Sequence, residues 1–192
     1  MTPRQSDHVI SRRATLAGMS AGGFALTLAS RGRTASAQDA TAEAMANHPI
    51  VGNWMVSTPA GPAMAVFLAD GTNIQGLPAT QAGPNGVEFV STQIGSWEPV
   101  SERGVHFTGV QLHSDANGNF IGTVEIDAFP VVSEDGQTFL DDDQRSGPLI
   151  RDAAGNVVAN LRGGGPPASG VRMGVGQSGL PTGTPASGTP TG

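Results

Sequence analysis

Between His48 and Arg162 the chain never sustains a helical apolar period for three turns. Short apolar segments alternate instead with turn chemistry. Asp70-Gly71, Asp115-Ala116-Asn117-Gly118, Glu134-Asp135-Gly136 and Asp152-Ala153-Ala154-Gly155 each separate two such segments. Some nine or ten strands at this spacing predict an all-β domain, an antiparallel barrel or sandwich, over these 115 residues. That length is ordinary for one domain with its own core. The chain has no Cys, which excludes disulfides, thiolate catalysis and Cys-ligated zinc, so the core must hold the domain unaided.

The flanks differ in composition. Ser11-Arg12-Arg13-Ala14-Thr15-Leu16 precedes a Gly/Ala-rich apolar run ending near Ala29, and Ala35-Ser36-Ala37 offers a small-x-small cleavage site. The run is about 15 residues, short of the roughly 20 that span a bilayer. Residues 1–37 therefore read as a twin-arginine (Tat-type) signal cut between Ala37 and Gln38, which predicts an exported protein, periplasmic or secreted, with no transmembrane segment in the mature chain. Residues 38–47 read as a polar spacer. Residues 163–192, dominated by Gly, Pro, Ser and Thr, read as a disordered tail, with a short strand allowed near Val171–Val175.

Cleavage shifts the charge. Of 10 basic and 16 acidic side chains, five arginines and Asp7 leave with the signal, so the mature chain keeps 5 basic and 15 acidic groups. There is no Lys, and five scattered arginines make no phosphate-binding surface, which argues against nucleic acid as a partner.

Gly52-Asn53-Trp54 opens the first apolar segment, and Gly95-Ser96-Trp97 echoes it 43 residues later, each leading a three-strand unit with a D/N-G turn. A Gly-x-Trp on the first strand of a small exported barrel resembles the lipocalin (calycin) group. That resemblance implies an up-and-down barrel of about eight strands, with Trp54 closing one end against an Arg of the last strand; Arg162 is the expected partner. The later lipocalin motifs are missing, and the chain has no Tyr.

Placing Ser114 opposite Asn119 across the Asp115–Gly118 loop sets His106 opposite Asp127 and Thr108 opposite Glu125, all on one face. His106, Glu125 and Asp127 are thus weak catalytic candidates, with a solvated cross-strand ion pair as the plainer reading. Phe107 shares the opposite, core-facing side with Gln111 and His113. His48 reads as leading the chain into the domain. Asp141-Asp142-Asp143 and the Asp115 loop carry carboxylates, but adjacent strand residues diverge and the loop lacks the glycine a calcium loop requires, so no metal site is expected. No nucleophile elbow, P-loop, dinucleotide fingerprint or zinc motif occurs, and no cofactor is expected.

The leading functional expectation is a non-enzymatic module holding a small apolar molecule. Its contacts would be Trp54, Phe67, Phe107, Val124 and Ile126, with Gln111 and His113 near the mouth. The alternatives are a barrel-type cyclase or isomerase, similar in shape to allene oxide cyclase and dirigent proteins, or a structural domain of the cell envelope. The oligomeric state is left open.

Overall fold

The computed structural model describes residues 42–180; the signal, residues 38–41 of the spacer, and the tail beyond residue 180 lie outside the described residues. After a helical turn at 42–46, strands are the only regular elements among the described residues. β1 (Gly52–Thr58), β2 (Gly61–Phe67) and β3 (Thr72–Gly76) make one meander, and β6 (Gln93–Pro99), β7 (Val105–Ser114) and β8 (Phe120–Ala128) make a second. Between them lies the hairpin β4 (Thr80–Gly83) and β5 (Gly86–Val90), and after them β9 (Val131–Val132), β10 (Thr138–Asp141), β11 (Gly147–Asp152), β12 (Val157–Asn160) and β13 (Ala168–Arg172). The two meanders are the three-strand units that the paired Gly-x-Trp motifs announce.

The expectation of an all-β, antiparallel domain matches the structure; a plain up-and-down barrel of about eight strands does not. The thirteen strands form one curled sheet, a half-barrel, with the order β12-β11-β8-β7-β6-β3-β2-β1-β13-β10-β9, while β5 branches from β7 and carries β4. The later strands break the up-and-down pattern because the chain leaves β10, adds the β11–β12 hairpin beside β8, and only then returns as β13 between β10 and β1. At one end the curl meets itself. Phe129-Pro130 carries β8 into β9, the Val105 N–H donates to Pro130 O (3.1 Å), the Val132 N–H donates to Arg103 O (2.9 Å), and Gly104 bridges Val131.

β13 falls inside the stretch that composition assigns to a tail. Its Gly170 must be small: a Cβ there would lie 2.1 Å from the Phe139 ring. The core follows from alternation along the strands, with Trp54 and Val56, Ala63, Ala65 and Phe67, Trp97, Val105 and Phe107 buried on one face. Aromatic edges lock it, Phe67 against both Trp97 (6.2 Å) and Phe107 (5.6 Å), in the edge-to-face geometry that ring quadrupoles favour.

Two hairpins use the same loop. In Asp115–Asn119 and again in Asp152–Asn156, the Asp Oδ1 accepts from two backbone N–H groups, and the Asn side chain donates to Oδ2. Gly118 and Gly155 occupy the left-handed position in each, at φ +82° and +87°. The Asp115 carboxylate therefore organises a turn, and hydrogen bonds from Asn119 hold its pKa below the usual range.

Candidate functional site

Trp54 anchors β1 in the core. Its indole N–H donates to Ile50 O (2.7 Å), and the Arg172 guanidinium lies 4.3 Å from the ring centre. The register Trp54↔Arg172 between β1 and β13 makes this stacking possible. Arg172 also donates to Val51 O (3.0 Å), Gly136 O (2.6 Å) and Pro49 O. Gly52 stands beneath it at φ +138°, where a Cβ would lie 2.6 Å from the guanidinium. Burial alone pulls the Arg172 pKa below its ordinary value.

Arg172, and not Arg162, is thus the partner of Trp54. Composition hides it because the strand Ala-Ser-Gly-Val-Arg lies among Gly and Pro residues. Trp54 is fully buried against Phe139 and lies below the hollow of the sheet rather than lining it.

His106, Glu125 and Asp127 do come together, but on the face opposite Phe107. The observed register pairs Thr108, not His106, with Asp127, and Val110, not Thr108, with Glu125. The loop is one residue longer than the sequence predicts, and a bulge after His113 adds another, so the strands shift by two and every side chain keeps its face. His106 Nε2 still reaches Asp127 Oδ1 diagonally at 2.6 Å, and its ring stacks on Phe129 at 4.4 Å. Thr108 Oγ1 donates to the same Asp127 oxygen (2.9 Å), while Arg162 contacts Glu125 (2.7 Å) and Asp127 (3.4 Å). Every carboxylate here already has a cation or hydroxyl partner. The arrangement staples β7, β8 and the segment after β12 together; Asp127 and Arg162 border the cavity, while His106 and Glu125 do not.

The inner face is different. A cavity of about 1360 Å³ opens there, and Phe67, Phe107, Gln111, His113, Val124 and Ile126 all line it. Gln93 and Glu88, which sequence reasoning did not single out, line it too. Glu88 comes from β5, folded against the end of β7 by the pairs Phe89↔Ser114 and Val90↔His113. Its Oε2 lies 3.0 Å from His113 Nδ1, with both side chains largely shielded. That contact directs the other ring nitrogen, Nε2, away from Glu88, and Nε2 is buried without a partner among the described residues.

Asp141 borders the same cavity. Ser146 Oγ donates to it (2.6 Å), yet burial raises its pKa above the usual carboxylate range. Asp143 instead takes a two-pronged contact from Arg145 and is held down to about 2, chiefly by that side-chain hydrogen bond. The three consecutive aspartates thus diverge, and no group of three His, Cys, Asp or Glu side chains among the described residues is placed to hold a metal. His48 is buried at the edge of the core. Its Nδ1 accepts from the Ile50 N–H (3.1 Å) and its Nε2 lies 3.1 Å from Ser101 O, so it fastens the start of the domain.

Comparisons with known proteins return no match: no family model, curated protein or solved structure aligns with the chain. Among the described residues, no helix is long and apolar enough to cross a membrane.

Proposed function

We propose that this chain is an exported, non-enzymatic, lipocalin-like protein that holds a small, mainly apolar molecule in the hollow of its curled sheet. The observation carrying the reading is the 1360 Å³ cavity, whose inner wall joins Phe67, Phe107, Phe139, Val124 and Ile126 to buried polar groups, with further polar and acidic residues around it. Binding sites for small molecules have that composition. The kinship with lipocalins is supported by the Gly52-x-Trp54 pair under Arg172 on the last strand. In this reading β8 and β9 act as one bent stave. Together with β1, β2, β3, β6, β7, β10 and β13 they make eight staves, and the β4–β5 and β11–β12 hairpins are additions. The isomerase alternative loses His106 and Glu125, which do not line the cavity, and Asp127, which borders it but is held by His106, Thr108 and Arg162; it keeps Glu88–His113 as an inward acid–base pair.

Thermal unfolding of the full chain, with and without a panel of apolar metabolites and a polarity-sensitive dye, tests the binding reading. Saturating ligand at 100 times its Kd adds about 2.7 kcal/mol of stability, a clear rise in Tm. No shift with any compound, and no dye uptake, would overturn it in favour of a structural domain. Export is tested separately: Arg12→Lys with Arg13→Lys should leave the protein in the cytoplasm of a Tat-competent bacterium, and continued export of the double variant would reject that route.

A further inference from the structure

The inner face carries a row of amides that the apolar lining does not explain. The register pairs Gln75 on β3 with Gln93 on β6, and the Ile94↔Val110 pair sets Gln93 across from Gln111 on β7 at the next step. Three glutamines therefore stand side by side on adjacent strands, with β-carbons spaced about 5 Å apart. Gln75 is satisfied, donating to Asn73 Oδ1 (3.2 Å). Gln93 and Gln111 are not: both are more than nine-tenths buried, at 1% and 4% exposure, and neither Nε2 has a hydrogen-bond partner among the described residues. Both side chains line the cavity. Room for Gln93 is made by Gly109, where a Cβ would come within 2.3 Å of its amide nitrogen.

Two buried amide donors left open on one wall of an apolar cavity are costly unless something accepts from them. The cavity's charge narrows what that is. Glu88, Asp115, Asp141 and Asp142 border the same hollow, Arg162 is engaged by Glu125 and Asp127, and the chain has no Lys. Only two cations, Arg151 and Arg162, border the hollow, against seven carboxylates, so an anionic head group would meet a net negative lining. We infer that Gln93 and Gln111 form the polar subsite of the cavity and select a neutral, largely apolar carbonyl compound (a ketone, ester, lactone or quinone) whose oxygen accepts from both amides. This rests on the binding reading above and deepens it.

The test uses three ligands of nearly one shape on the full chain, by isothermal titration: acetonaphthone, ethylnaphthalene and naphthoate. The ketone should bind about tenfold tighter than the hydrocarbon, the gain expected from two net hydrogen bonds, and naphthoate weakest. In Gln93→Leu/Gln111→Leu the ketone's advantage should vanish while ethylnaphthalene binds as before, which also reports that the variant is folded. Should the double variant fail to fold, Gln111→Met alone should remove most of the advantage. Equal binding of ketone and hydrocarbon by the unaltered chain would overturn the amide subsite and leave the binding reading standing. Preference for naphthoate would overturn neutral selection, and binding of none of the three would reject the subsite along with the reading it rests on.

Discussion

At the scale of single residues, two arginines separate structural necessity from surface convenience. Arg172 donates to three backbone carbonyls and stacks on Trp54, so Arg172→Ala should cost about 2–4 kcal/mol in urea denaturation. Arg162 makes half-exposed ion pairs, and Arg162→Ala should cost about 1 kcal/mol or less. Equal losses would mean that the Trp54–Arg172 contact is not what holds β1 and β13 together. His48 carries a pH signature. Burial lowers its pKa below the ordinary 6.5, against backbone hydrogen bonds that raise it. The folded chain thus binds that proton more weakly than the unfolded chain does. Its contribution to stability is full above about pH 6.5 and declines as pH falls from there through the folded value. The facing groups are the Ser101 carbonyl, the Ile50 N–H and the Trp97 ring, none of which titrates in this window. Denaturation midpoints at pH 7 and pH 5 should differ less for His48→Gln than for the unaltered chain; an equal difference would assign the dependence elsewhere.

At the scale of elements, the turns make a sharper comparison than the strands. A Cβ on Gly118 meets nothing within 4 Å, so Gly118→Ala suffers only its left-handed backbone, about 1 kcal/mol. Gly122, at φ +153°, would put a Cβ 2.0 Å from Arg151 O on the neighbouring strand, and Gly122→Ala should cost about 3 kcal/mol. Paired denaturation curves decide it, and similar losses at the two sites would show that the β8–β11 approach is looser than it stands here. These glycines also mark what the sequence could reveal. Strand alternation and Asp/Asn-Gly turns are local chemistry, so the meanders, the core face of Phe107 and the inward Gln111 and His113 were legible. The two-residue shift between β7 and β8 was not, because a bulge has no residue signature as strong as a turn's. Nor was Glu88 beside His113, since it depends on a side hairpin folding back onto β7, a contact between residues 25 apart.

At the scale of the whole molecule, the buried amides and the stability of the domain pull in opposite directions. A disulfide-free chain of this length rests on its core, and the net stability of such a domain is about 5–15 kcal/mol. Two unpartnered amide donors, each costing about 1–3 kcal/mol, would weigh noticeably against that margin in the ligand-free state. Replacing them with apolar side chains of similar size removes the desolvation penalty and adds buried apolar surface. Gln93→Leu/Gln111→Leu should therefore be more stable than the unaltered chain without ligand, by about 2 kcal/mol. With a saturating ketone the order should narrow or reverse, because only the unaltered chain gains the amide contacts on binding. Tm measured for both chains, with and without acetonaphthone, gives the four values needed. A double variant that is less stable in both conditions would mean that the glutamine row supports the packing of β3, β6 and β7 rather than recognition.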